Sequence, residues 1–211
     1  MIELPIWFRG NVFFNKTIIF GKLNVCKYYY NTYKLNIKNT INLFYSSCEY
    51  GHLEVAKWLI ETFPNINIHA NNESAFRGSC AYGHLEVAKW LINTFPDINI
   101  HIRDEYAFRW CCNNGHLEVA KWLIDTFPNI NIHANNESAF RWCCEEGYLE
   151  VAKWLIDTFP NINIHNEYAF KRCCENGHLE VAKWLICLDM SYSYKIKNEK
   201  IIPYKNMIKL A

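Results

Sequence analysis

Apolar positions in the middle of the chain recur as one fixed string. Gly51-His52-Leu53-Glu54-Val55-Ala56-Lys57-Trp58-Leu59-Ile60 returns from Gly83, Gly115, Gly147 and Gly177, with Tyr148 for His as its only change. The spacings are 32, 32, 32 and 30 residues, and self-similarity at such a period marks a repeat architecture. In each copy the positions of Leu53, Ala56, Ile60 and Phe63 fall on one helical face, and Val55 and Leu59 widen it. Glu54, Lys57 and Glu61 leave a narrow polar stripe. The pattern predicts a helix from near Leu53 that ends before Pro64, because the residue preceding proline avoids the helical region. A helix apolar around most of its girth must be covered on two sides. Stacked neighbours supply that cover, which a single repeat cannot.

A shorter helix is predicted before each glycine. Eleven residues ahead of the five glycines stand Thr40, Asn72, Asp104, Asn136 and Asn166, all residue types that accept first-turn amides as N-caps. Glu73, Glu105, Glu137 and Glu167 follow four of them, where the positive helix end favours a carboxylate. The glycine ends this helix in a left-handed conformation. Between helix pairs runs Phe63-Pro64-Asn65-Ile66-Asn67-Ile68-His69-Ala70-Asn71. It is too long for a simple turn, and its Asn-Ile alternation predicts extended chain rounding a turn.

Short helix, glycine, longer helix and finger together resemble the ankyrin repeat. The glycine string is similar to the family's Gly-His-x-x-Val-Val-x-x-Leu-Leu, and Asn65-Ile66-Asn67 stands where the family has Asp-Val-Asn. The wording also resembles arrays encoded by giant DNA viruses. The resemblance implies an all-α solenoid of stacked helix-turn-helix ankyrin repeats with extended finger loops. It covers five repeats over residues 40–187, with 1–39 as an N-terminal capping segment and 188–211 as a lysine-rich C-terminal tail. Two departures stand out. Ser74-Ala75-Phe76-Arg77 and Tyr106-Ala107-Phe108-Arg109 replace the family's Thr-Pro-Leu-His, removing its Thr cap and its interlocking His. Cys-Cys replaces its Ala-Ala, which keeps small residues where helices approach closely.

Composition narrows the function by exclusion. The 211 residues carry a net charge of +1, which argues against a nucleic-acid or acidic-membrane footprint. Apolar residues make up 51% and aromatic residues 16%, ample for a packed core. Glu3 and Pro5 sit where a secretion signal would want positive charge and a continuous apolar core. Apolar runs stay far short of the ~20 residues that span a bilayer. An intracellular protein is expected, in the host cytoplasm if the viral resemblance holds. Six of the ten cysteines form the adjacent pairs Cys111-Cys112, Cys143-Cys144 and Cys173-Cys174. Helix neighbours point about 100° apart, which suits reduced thiols that pack rather than bridge. His116 and His178 follow two of the pairs, but Tyr148 follows the third, and a structural zinc site wants four converging ligands. No metal and no cofactor are expected. With no phosphate loop or nucleophile motif, neither is enzymatic activity.

What remains is recognition of a protein partner. Trp58, Trp90, Trp122, Trp154 and Trp184 share one position at the border of the polar stripe, where each ring can bridge adjacent repeats or join an exposed aromatic strip. Trp110 and Trp142 lie on first helices, where Gly78 and Arg172 replace them, so packing does not demand an indole. The positions before each glycine also vary, as do the finger tips. The resemblance places these on a concave groove. The candidate contact residues are Tyr50, Tyr82, Arg103, Asp104, Trp110, Asn114, Trp142 and Glu146. The function expected is a non-enzymatic protein–protein interaction scaffold. One alternative is a ubiquitin-ligase substrate adaptor, since Leu4-Pro5 resembles the start of an F-box; the other is a thiol redox or metal-binding protein. After Ile186 the Thr-Phe-Pro continuation is lost. The tail either folds back over the last repeat or leaves an apolar face open for a partner or for self-association. Its five lysines predict only weak attraction to anionic surfaces.

Overall fold

The computed structural model describes residues 14–33, 40–164 and 167–189, together with the backbone of two strands at 192–197 and 200–205. The Leu4-Pro5 dipeptide and Asn166 lie outside the described residues. The chain forms two compact units, Met1–Arg103 and Asp104–Ala211. In the first, α1 (residues 14–19) precedes α2 (Leu23–Tyr33), α3 (Thr40–Glu49) precedes α4 (Leu53–Thr62), and α5 (Ala70–Ala81) precedes α6 (Leu85–Thr94). The second holds α7 (Ile102–Asn113, opening at the boundary), α8 (Leu117–Thr126), α9 (Ala134–Glu145), α10 (Leu149–Thr158), α11 (Glu167–Glu175) and α12 (Leu179–Leu188). Each unit is a stack of helix pairs of the all-α solenoid class. In the first unit α3 lies against α5, and in the second α9 lies against α11.

The core follows the repeated string. Val55, Ala56 and Leu59 are buried with their equivalents in every copy, and so are Phe44, Phe76, Phe108, Phe140 and Phe170 on the first helices. The finger isoleucines Ile66, Ile98, Ile130 and Ile162 turn inward. Each first helix closes with a paired turn in which His52 N donates to the Ser47 carbonyl (2.7 Å) and Gly51 N to the Cys48 carbonyl (3.2 Å), a Schellman motif repeated at all five glycines. The fingers are a succession of turns rather than extended chain. Asn67, Asn99 and Asn131 each accept from the backbone N–H two residues on at 3.1 Å, and this side-chain turn replaces the expected strand geometry.

The N-cap expectation fails at the three fingers where it can be checked. Asn72, Asp104 and Asn136 sit in the left-handed region, each as the middle of a left-handed triplet: Asn71-Asn72-Glu73, Arg103-Asp104-Glu105 and Asn135-Asn136-Glu137. An N-cap residue takes extended backbone, which the left-handed region does not supply. A left-handed L-residue costs roughly 1–2 kcal/mol, so something must hold each triplet. The arginine at the family's His position does so. Arg77 donates through Nε to the Asn72 carbonyl (2.6 Å) and through Nη2 to that of Asn71 (3.0 Å). Arg109 Nε reaches the Asp104 carbonyl (2.5 Å), and Arg141 Nη2 that of Asn135 (3.0 Å).

Three of the four glutamates are not surface complements to a helix end either; only Glu167, exposed in the first turn of α11, takes the expected place. Glu73, Glu105 and Glu137 are buried. Glu73 accepts from His69 Nδ1 at 2.9 Å and from Asn99 N on the next finger at 3.4 Å. Glu105 accepts from Asn131 N on its next finger at 3.2 Å, and Glu137 bonds His133 Nδ1 at 2.7 Å. Burial makes an unpaired acid there expensive, and each carboxylate binds its own or the next finger through at least one oxygen.

All nine helix-borne cysteines from Cys26 to Cys174 are buried free thiols, while Cys187 is exposed. The first member of each adjacent pair hydrogen-bonds the phenylalanine carbonyl one turn back: Cys111, Cys143 and Cys173 do so at 3.1 Å, to Phe108, Phe140 and Phe170. Ser47 and Ser79 make the same bond in the first unit at 2.7 and 2.8 Å. Burial pushes the second-position thiols Cys112 and Cys144 well above the ordinary cysteine value. Cys143→Ser is therefore expected to stay within about 1 kcal/mol of the parent, whereas Cys144→Ser, which forces a hydroxyl into a thiol-only position, costs about 1–3 kcal/mol. Urea denaturation of both variants checks the contrast.

Two features lie beyond the five strings. α1 and α2 already form a helix–glycine–helix unit, with Gly21 at positive φ and Tyr30 of α2 packing on Trp58 (5.8 Å) and Phe63 (5.4 Å). At the other end β1 (Tyr192–Lys197) and β2 (Lys200–Lys205) pair antiparallel, and β2 lies against α11. The tail thus takes the fold-back arrangement, as a hairpin.

Candidate interaction surface

In the second unit the first helices bring two of the variable residues together. Trp110 of α7 and Trp142 of α9 are half-buried, with ring centroids 5.7 Å apart and planes tilted by 55°. Tyr106, one turn before Trp110 on the same helical face, stacks on it at 5.4 Å and 24°. Arg109 runs beneath: its guanidinium carbon lies 5.3 Å from the Trp142 ring centroid, and its side chain is only 5% exposed. Nη1 also reaches Ser138 Oγ at 3.4 Å. With its amide oxygen facing the guanidinium, Asn135 accepts from Nη1 at 3.0 Å and Nη2 at 3.1 Å. One arginine thus braces its own finger, the next finger and the indole. Burial lowers its pKa, yet an arginine keeps its charge at any physiological pH.

The remaining candidates take simpler positions. Asp104 is exposed on the α7 finger tip, its carbonyl committed to Arg109. Asn114 is half-buried and accepts from Asn113 Nδ2 at 2.8 Å. Glu146 is exposed one turn beyond Trp142. In the first unit Tyr50 and Tyr82 are 49% and 52% exposed, and Arg103 is exposed at its finger tip. The Tyr50 ring stacks over His52 at 6.4 Å. Tyr106 and Arg109 were not among the sequence candidates. The signal for Tyr106 was its substitution for Ser74 and Ser138, four residues ahead of a tryptophan.

The run of indoles ends at α9, although Tyr168 on α11, at the Tyr106 position, keeps its ring 5.2 Å from the Arg141 guanidinium carbon. Arg172 stands at the Trp110 and Trp142 position on α11 and grips Glu145 through Nη2 (2.6 Å) and Nε (2.7 Å), while Nη1 reaches Glu175 (2.9 Å). The second-helix tryptophans are different in kind. Trp58, Trp90 and Trp184 meet Phe14, Phe44 and Phe140 of the preceding pair edge-on at 6.2–6.4 Å. Trp58, Trp90, Trp122 and Trp154 each also meet the phenylalanine closing their own helix. Trp58, Trp90 and Trp184 thus bridge repeats, as the packing reading expects. Among the described residues no group of three or more His, Cys, Asp or Glu is placed to hold a metal ion, and no helix is long and apolar enough to cross a membrane.

Stacked helix pairs, a glycine turn and a finger stitched by its own side chains define a helical-repeat protein. The family model for ankyrin repeats, in three copies, matches residues 16–104 and 108–198, and the chain belongs to the ankyrin-repeat family. The first match begins at residue 16, inside α1. No curated protein matches the chain. Ankyrin repeats are generally protein–protein interaction modules and typically non-enzymatic.

Proposed function

We propose that the chain is a non-enzymatic scaffold that captures a partner protein on the first-helix face, with Tyr106, Trp110 and Trp142 as its anchor. The observation that carries this reading is the pair of half-buried indoles at a position where other repeats place Ser46, Gly78 and Arg172. Their rings are rigid, amphipathic and braced from below, the properties of hot-spot anchors. Glu146, Asn114 and Asp104 supply a polar rim, while Tyr50, Tyr82 and Arg103 offer the corresponding surface of the first unit. A stable complex would bury about 1,600 Å² in total. In this reading residues 1–39 cap the array, and the packing of β2 against α11 supports a capping role for the tail. On the resemblance to viral arrays, the partner is a host cytoplasmic protein.

Trp110→Ser with Trp142→Ser reproduces what Ser46 already provides in the first unit. The double variant is expected to keep its circular-dichroism spectrum and to lose at least tenfold of the specific proteins that the parent retains from cell extract. An unchanged capture profile from a folded double variant overturns the assignment.

A further inference from the structure

His69 stands between two carboxylates on two successive fingers. Its Nδ1 lies 2.9 Å from Glu73 Oε1, and its Nε2 lies 3.3 Å from Asp97 Oδ2. Glu73, on the helix that His69 opens, is buried; Asp97, on the finger after α6, is 74% exposed. A carboxylate only accepts hydrogen bonds, so a ring nitrogen facing one must carry a proton. Two such neighbours require both ring protons at once, which only the imidazolium has. A neutral ring would keep its Nδ1–H on Glu73 and turn a lone pair toward Asp97.

The same architecture occurs in the second unit with one atom type exchanged. His133 Nδ1 bonds Glu137 at 2.7 Å, but its Nε2 faces Asn161 Nδ2 at 3.1 Å. An amide nitrogen donates, so the neutral ring with its proton on Nδ1 satisfies both partners there. Asp97 and Asn161 occupy equivalent finger positions. One residue therefore decides which form of the histidine the two fingers fit.

We propose that His69, Glu73 and Asp97 form a proton-dependent clamp that ties the two fingers of the first unit together when the imidazole is charged and slackens when it is neutral. The charged groups that act on His69 are Glu73, through its hydrogen bond first, and Asp97; together they hold the imidazolium above its ordinary value of about 6.5. A group whose folded pKa is raised contributes its stability in full below the unfolded value and loses it as pH rises through the folded one. The clamp is thus closed below about pH 6.5 and opens across the range above it. Finger tips form part of the proposed partner surface, so their coupling sets how rigid that surface is near neutral pH.

The test follows His69 in the full chain by two-dimensional NMR, with His69→Gln to assign its signal. Asp97→Asn is expected to lower the His69 titration midpoint by roughly 0.3–0.7 of a pH unit, the range an exposed ion pair supports. It is also expected to lower Tm near pH 5.5 but not near pH 9. An unmoved midpoint overturns the clamp. Should Asp97→Asn fail to fold, Asn161→Asp decides: the parent-minus-variant Tm difference should grow between pH 6 and pH 9, and a difference independent of pH also overturns it.

Discussion

Gly51→Ala is expected to lose about 3 kcal/mol of unfolding free energy, against about 1 kcal/mol for Gly177→Ala, although the two glycines occupy the same place in the same string. Both sit at positive φ, +75° and +84°, so both variants incur the left-handed cost of a Cβ. Their surroundings differ. A Cβ on Gly51 would overlap the His84 ring of the next repeat, while one on Gly177 would meet nothing within 4 Å. A hydrogen bond to the Glu49 backbone holds that ring in place. The same repeat-to-repeat contact places His52 against Gly21, with a ring nitrogen 2.7 Å from the Ile19 carbonyl. Burial between repeats lowers the His84 pKa, consistent with a neutral packed ring. Tyr148 and His178 lie against Gly115 and Gly147 in the same manner. Adding His84→Ala to Gly51→Ala should recover about 1–2 kcal/mol relative to the sum of the single losses. Additive losses in urea denaturation, or equal losses at Gly51 and Gly177, would show that backbone conformation alone explains the glycine.

The contrast also shows where the sequence was readable. The glycine string reported helix pairs, their order and their shared face, because burial against a neighbour imposes the same apolar pattern on every copy. It could not report the left-handed triplets. Asn72, Asp104 and Asn136 are good N-caps and also the residues most tolerant of the left-handed region. The two outcomes differ only in what binds the finger carbonyls, and that is an arginine five residues further on. The buried glutamates were hidden for the same reason: a carboxylate beside a helix start reads as a surface complement until its partners, Asn99 N and Asn131 N, are seen arriving from 26 residues away. At the amino end Gly21, Leu23, Val25 and Lys27 keep the string's spacing, but Lys22, Asn24 and three tyrosines obscure it. At the other end the alternation Tyr192-Ser193-Tyr194-Lys195-Ile196-Lys197 was a legible strand signal, masked by reading its lysines as a solvated tail. Of the candidate surface, the two indoles were legible from substitution between copies. The side chain that braces them was not, since its template position marked it as structural.

Arg109 is that side chain, and Arg109→Ala is expected to cost about 3–4 kcal/mol, with Arg109→Lys recovering less than half. The alanine variant leaves the Asp104 carbonyl and the left-handed triplet without their donor, removes the cation from beneath Trp142, and opens a cavity where a 5%-exposed side chain lay. Lysine restores charge and length but not the planar fork. It can reach the Asp104 carbonyl or the Asn135 amide, but it cannot lie flat against the indole while doing so. The loss should register as lower stability in chemical denaturation and as an altered Trp142 fluorescence environment in the still-folded protein. Full rescue by lysine would mean that charge alone matters, and the guanidinium geometry would then explain neither the finger nor the aromatic pair. Partial rescue, with the fluorescence change retained, ties both to one planar group. Stability and recognition would then rest on the same residue in this unit, and drift at Arg109 would cost the fold before it could reshape the surface.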